Sequence, residues 1–245
     1  MNKIYVISIG PGAYEHMTIK AIESLKMSEV IVGYGVYIDL VRPYFPQKEF
    51  LSTPMKQEAL RCRMAFEEAN KGKTVGFVCS GDVGVYGMAG LMYEIQRADG
   101  FFDTEIEIIP GVTAATAGAA ILGAPLIHDF CVISLSDLLT PWEKIEKRLL
   151  MASQADFVVC LYNPSSKKRA DYLKKACDIL LTHKSPKTVC AYVAKIAREG
   201  EYEKILSLEE LREESVDMFT TVFIGNSQTI QINGKMVTPR GYKDV

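Results

Sequence analysis

With 245 residues, a formal net charge of −2, and 48% hydrophobic and 24% charged residues, the chain is long enough to bury a sizeable core as one large or two small domains. No basic block stands out, which argues against a general nucleic-acid binder. The opening run MNKIYVISIGPG breaks at a Gly-Pro turn too early for a signal-peptide core or a membrane span, so a cytoplasmic protein is expected.

In chain order, residues 3–10 (KIYVISIG) are strand-like and end in Gly10-Pro11-Gly12. Thr18 is placed to cap a helix whose apolar residues Ile19, Ile22 and Met27 follow helical spacing. A second strand is predicted over 29–34, a helix over about 54–70 with Gly72 as its stop, and a strand over 73–79. CSGDVGVYGMAGL (79–91) then turns into an expected helix carrying Gly84, Gly87 and Gly90. TEIEIIPGVTAATAGAAILGAPL reads as a strand ending at Pro110-Gly111, followed by a helix of small residues. This alternation predicts a largely parallel sheet covered by helices.

The second half repeats the alternation, with strands expected over 130–136, 156–163, 188–195 and 218–226. Thr140-Pro141-Trp142-Glu143 and Ser207-Leu208-Glu209-Glu210 both read as capping boxes, and Asn233-Gly234 as a two-residue hairpin turn. The fold class is therefore α/β with two α/β domains, 1–112 and 113–245. With no low-complexity linker dividing them, a cleft suited to a ligand is expected at their junction.

The six cysteines include no C-x-x-C pair, and His16, His128 and His183 complete no zinc or iron–sulfur set. Small buried thiols in a reducing compartment are expected. The glycine turns follow predicted parallel strands, where open α/β sheets place ligands. They do not suit phosphate: no Gly-Lys-Ser/Thr ending occurs, Glu15 replaces the third glycine of a dinucleotide fingerprint, and Asp82 adds a carboxylate. A ligand with a cationic centre or an ammonium group fits better, and S-adenosylmethionine has both without a phosphate. A turn-forming or capping Asp82, and a glycine ladder used for packing, are the alternative readings.

IGPG after the first strand, SGDVGVYG, IPGVTA (109–114), LYNPSSKKR (161–169) and FIGNS (223–227) together, in order, resemble the tetrapyrrole methylases, class III methyltransferases that use S-adenosylmethionine. Residues 123–149 and 236–242 resemble the branch that methylates carbon 17 of precorrin-3B or cobalt-factor III in cobalamin biosynthesis. The resemblance implies a homodimer of two-domain subunits with the cofactor in the interdomain cleft, and S-adenosyl-L-homocysteine as product. By matching motif it places Pro11, Gly81, Asp82, Val85, Thr113 and Ala114 at the cofactor, together with Tyr162, Asn163 and Ala194.

The implied reaction is methyl transfer to carbon 17 coupled to contraction of the macrocycle. Alkylation by a sulfonium asks mainly for alignment. Contraction moves protons, and His128 and Asp129 are the candidates, with Ser134, Ser136 and Asp137 on the adjoining strand end. The carboxylates of a corrinoid need local cations, for which Lys56, Arg61 and Arg63 on one predicted helix, Lys167, Lys168 and Arg169, and Arg240 are available. Neither a metal ion, a nucleic acid nor a membrane is expected as partner. A methylase of this fold acting on another precorrin, an RNA or a protein, and a non-catalytic nucleotide-binding module, are the competing readings.

Overall fold

The computed structural model describes residues 2–166 and 168–243. The chain divides into two compact units, residues 1–114 and 115–245.

The first unit alternates β1 (Asn2–Ser8), α1 (Ile19–Met27), β2 (Val30–Tyr34), α2 (Gly35–Val41), β3 (Glu49–Thr53), α3 (Glu58–Asn70), β4 (Thr74–Cys79), α4 (Ala89–Asp99) and β5 (Thr104–Ile109). Its five strands are all parallel, in the order β3-β2-β4-β1-β5. Side chains alternate across β1. Ile4 and Val6 join the cluster with Cys62, Phe66 and Met92 of α3 and α4, whereas Tyr5 and Ile7 join Ala21, Leu25 and Ile38 of α1 and α2. Chain direction along the sheet reverses between β1, which leads to α1 on one face, and β4, which leads to α4 on the other. That reversal is the position at which open α/β sheets leave a crevice beyond their carboxyl ends.

The second unit holds α5 (Ala114–Leu122), β6 (Gly123–Ala124), β7 (Phe130–Ser134), α6 (Trp142–Gln154), β8 (Val158–Tyr162), α7 (Tyr172–Leu180), β9 (Val189–Ala194), β10 (Tyr202–Ser207), α8 (Leu208–Leu211), β11 (Thr220–Ile224), β12 (Ile230–Ile232) and β13 (Lys235–Val237). The main sheet runs β10-β9-β11-β8-β7 and is mixed, in contrast to the parallel alternation expected. β7 and β8 are parallel, but β11 is antiparallel to both β8 and β9, and β10 is antiparallel to β9. Helices α6, α7 and α8 cover one face through Leu149, Leu173, Leu180 and Leu211. Gly118 of α5 lies against the other, where a Cβ would stand 2.8 Å from the ring of Phe223.

Local signals met different outcomes. Thr18 caps α1 by accepting from the Ala21 N–H, and Ser207 with Glu210 forms the full capping box of α8. Asn233 and Gly234 turn with φ of 49° and 76°, joining β12 to β13. Thr140 caps nothing: Pro141 is the cap residue of α6 and no side chain satisfies its first turn. α3 begins at Glu58, four residues later than expected, because Lys56 turns left-handed at φ 67°. The segment around Gly84 and Gly87 is a non-helical turn, and only Gly90 lies in α4.

Candidate functional site

Three loops leave the carboxyl ends of the adjacent strands β4, β1 and β5, and they are knitted to one another. Gly10 and Gly81 exchange both backbone hydrogen bonds, at 3.2 and 2.7 Å, and each needs the left-handed region that glycine enters freely, with φ of 66° and 69°. Ser8, fully buried, accepts from the Val83 N–H at 2.9 Å. The Asp82 carboxylate accepts from the Gly84 N–H at 2.8 Å with one oxygen and from the Gly111 N–H at 2.9 Å with the other, bracing the β4 loop to the β5 loop. Gly111 is required there, because a Cβ would stand 2.4 Å from the Ser8 Cβ and 2.7 Å from the Gly81 carbonyl oxygen.

This brings Pro11, Gly81, Asp82, Val85, Thr113 and Ala114 to a single edge of the first unit. A Cβ built on Gly81 meets only the Thr113 Cα, at 3.9 Å, so the space above the turn is open. Residues 9–13, 80–88 and 110–113 contain no Lys or Arg. With one fixed carboxylate and no basic side chain, these loops favour a ligand that is cationic over one that carries phosphate. Cys79, just before the turn, is no nucleophile, since burial pushes its thiol up to about 12.

In the second unit β7, β8 and β9 point the same way, so Ser134, Ser136, Asp137, Tyr162, Asn163 and Ala194 share one edge. The Tyr162 hydroxyl accepts from the Ala115 N–H at 2.6 Å and thereby satisfies a free donor in the first turn of α5. Asn163, at φ 53°, donates through its side-chain amide to the Ser134 hydroxyl at 2.9 Å, and the same hydroxyl accepts from the Ser136 N–H. Asp137 accepts from the Tyr172 hydroxyl at 2.6 Å and lies 3.9 Å from Arg169. That hydrogen bond holds the Tyr172 phenol above its ordinary pKa, so the ring stays a donor. Tyr172 packs on Trp142, with Lys175 over both rings.

His128 and Asp129 do not join this group. They precede Phe130, the first residue of β7, whereas Ser134 is its last. At about 3.3 Å per residue the strand carries the two sets on the order of 20 Å apart. The expectation that they adjoin is thereby corrected. His128 instead lies where the two branch-like segments meet. The Thr238 hydroxyl donates to the Pro125 carbonyl at 2.7 Å, Arg240 donates to the Ile127 carbonyl at 2.9 Å, and Met236 pairs with Gly123. The His128 Nε2 is buried and has no hydrogen-bond partner.

Of the expected cations, Arg63 is paired with Asp99 at 2.6 Å, Arg61 is buried, Lys56 and Lys168 are exposed, and Lys167 lies outside the described residues. FIGNS has an architectural role. Lys184, its side chain 2% exposed, donates to the Phe157 and Gly225 carbonyls at 2.9 Å and pairs with Asp156, which in turn accepts from Ser227. Sequence reasoning missed Ser8 and Tyr172. The hydroxyl interrupting the apolar run YVISIG was a usable signal for the first, and nothing marked the second. Among the described residues no metal-binding group of His, Cys, Asp or Glu forms, and no helix is long and apolar enough to cross a membrane.

Comparison with known proteins follows the same lines. Residues 3–212 match the family model described as Tetrapyrrole (Corrin/Porphyrin) Methylases. The chain is 46% identical to a probable cobalt-factor III C(17)-methyltransferase of Salmonella typhimurium, across 97% of this chain and 98% of that protein. It is 44% identical to the cobalt-factor III methyltransferase of Priestia megaterium across 99% of this chain, of which it spans 45%. A precorrin-3B C(17)-methyltransferase of Sinorhizobium sp is 36% identical over 98% of this chain and 96% of that protein. Among solved structures, that of the methyltransferase CobJ superposes with a TM-score of 0.87 at 33% identity, covering 98% of this chain and 100% of the other.

Proposed function

The chain belongs to the tetrapyrrole (corrin/porphyrin) methylases, a family of methyltransferases, and from that premise we propose that it transfers a methyl group from S-adenosylmethionine to carbon 17 of a corrin precursor, cobalt-factor III or precorrin-3B, with contraction of the macrocycle. The observation that carries this reading is near full-length similarity to relatives named as C(17)-methyltransferases of cobalt-factor III or precorrin-3B.

The first unit's loops fit the donor. Its sulfonium and ammonium charges would be offset by the Asp82 carboxylate, and no Lys or Arg of these loops would oppose them. Gly81 leaves the room that a side chain would fill. Pro11, Gly81, Asp82, Val85, Thr113 and Ala114 are assigned to the cofactor, with Tyr162, Asn163 and Ala194 as its contacts in the second unit. The bound donor supplies an electrophilic methyl whose leaving group is a neutral thioether.

The protein's task in the methylation step is to align the ring carbon with that methyl and to exclude water. Ser134, Ser136, Asp137 and Arg169 are assigned to the macrocycle, with Lys56, Lys167 and Arg240 as cations for its carboxylates. His128, beside Asp129, is assigned to proton movement in contraction. A homodimer in the cytoplasm completes the reading.

The test is incubation with methyl-labelled S-adenosylmethionine and either cobalt-factor III or precorrin-3B, with mass spectrometry of the products. One label per macrocycle, placed at carbon 17 in at least one substrate, is the expected result. Binding of the donor with no labelled product from either substrate overturns the assignment.

A further inference from the structure

Arg61 is a charge without a counter-charge. It lies on α3 with 3% of its surface exposed, yet among the described residues no carboxylate reaches ion-pair distance of it. Its Nε donates to the Thr53 hydroxyl at 3.0 Å, one terminal nitrogen to the Pro54 carbonyl at 3.0 Å, and the other to the Met88 sulfur at 3.5 Å. The Tyr34 ring lies 5.6 Å away. A guanidinium has five N–H donors, and here they find two neutral oxygens and one weak sulfur acceptor. Buried cations are ordinarily paired, because desolvation is costly without a compensating anion. The neighbouring Arg63, more exposed, has its Asp99.

The place of this charge in the fold matters as much as its isolation. Tyr34 and Thr53 are the last residues of β2 and β3, and Met88 ends the loop that leaves β4. Arg61 therefore sits under the carboxyl edge of the same sheet that presents the glycine turns, on the side away from β5. Its cover is the segment 54–57, exposed at every residue, in which Lys56 is held at φ 67°. That segment touches the guanidinium through one neutral carbonyl.

We propose that Arg61 is the receptor for a carboxylate of the macrocyclic substrate. Resting on the reading of the chain as a corrinoid methylase, this names the subsite that would tell a carboxylated ring from an uncharged one. A carboxylate makes charge-assisted hydrogen bonds about twice as strong as those of a neutral carbonyl, so it displaces Pro54 from the guanidinium and supplies the missing charge. Thr53 and Tyr34 keep the fork oriented while the exchange occurs.

Uroporphyrin, a porphyrin ringed with carboxylates, serves as the probe, its binding followed by quenching of the single tryptophan, Trp142. Arg61→Gln should weaken binding by about 10- to 100-fold, the effect of one charge-assisted bond, while affinity for S-adenosylhomocysteine stays within about two-fold. Arg61→Lys, which keeps the charge but not the fork, should fall between. Unchanged porphyrin binding in Arg61→Gln, or parallel loss of porphyrin and S-adenosylhomocysteine, overturns the proposal. Should the glutamine variant not fold, a crystal structure of the wild-type protein with uroporphyrin decides: a carboxylate on the Arg61 guanidinium supports the receptor, and carboxylates seated only elsewhere refute it. If wild-type protein methylates neither corrin precursor yet Arg61→Gln loses the porphyrin, the functional reading fails and the subsite stands.

Discussion

Asp82 joins two loops with one carboxylate, and each of its oxygens accepts one backbone N–H. Asn is nearly isosteric but offers one acceptor, so Asp82→Asn turns an amide N–H₂ toward a backbone N–H. Leaving that donor unsatisfied costs about 1–3 kcal/mol, a fall in melting temperature of about 2–4 °C per kcal/mol for a chain of this size. S-Adenosylhomocysteine affinity should drop with it, by calorimetry, because the brace between the loops is lost. Gly81 isolates the other half of the turn. Any Cβ at φ 69° costs about 1–2 kcal/mol, yet the Cβ itself meets only the Thr113 Cα. Gly81→Ala should therefore weaken cofactor binding moderately. Gly81→Val, whose γ-carbons enter the open space above the loop, should abolish it without unfolding the sheet. Wild-type affinity in the valine variant would place the cofactor elsewhere.

Among the elements, the two helix starts that look alike in sequence provide a controlled comparison. Ser207 accepts from Glu210 N–H and the Glu210 side chain answers the Ser207 N–H, so Ser207→Ala should cost about 1 kcal/mol in denaturant unfolding. Thr140 stands one residue outside the cap of α6, and Thr140→Ala should stay within about 0.5 kcal/mol. Equal losses would mean that the α6 cap differs from the one described. The same contrast shows what the sequence can carry. Periodicity and glycine turns located β1, β4, β5 and α5, and local chemistry located the Thr18 cap and the Asn233-Gly234 hairpin. The strand β3 is short, half-exposed at the sheet edge and lies between Pro46 and Pro54, so no alternation announces it. Helix α2 follows β2 with no loop and no capping side chain, and β10 is an edge strand with its first half exposed. Strand direction is written in no residue pattern, which is why the antiparallel β11 between β8 and β9 was unforeseen.

At the scale of the whole molecule, the motifs located the glycine turns at the carboxyl edge of the first sheet because their glycines are local necessities, whereas the placement of His128 depends on where a strand carries the chain. Only six residues before Ser134 in sequence, His128 lies beyond the far end of β7 from it, next to Ile127, whose carbonyl accepts from Arg240. Its Nε2 is the one imidazole nitrogen among the described residues that is buried without a partner, an arrangement that is costly unless the atom has work to do. Alkylation depends on alignment and contraction on proton transfer, so the two steps should respond differently to its loss. In His128→Ala, contraction is expected to slow by roughly 10²- to 10⁴-fold, the range for a positioned acid or base, with methyl transfer little changed. Methylated, uncontracted macrocycle should then accumulate in a single turnover with labelled donor, resolved by mass spectrometry. Asp137→Asn provides the comparison from the opposite end of the strand, where Tyr172 and Arg169 surround the carboxylate. If Asp137→Asn rather than His128→Ala uncouples the steps, the proton-moving group belongs to the edge that also carries Ser134 and Asn163. Unchanged contraction in His128→Ala would return the imidazole to a structural role.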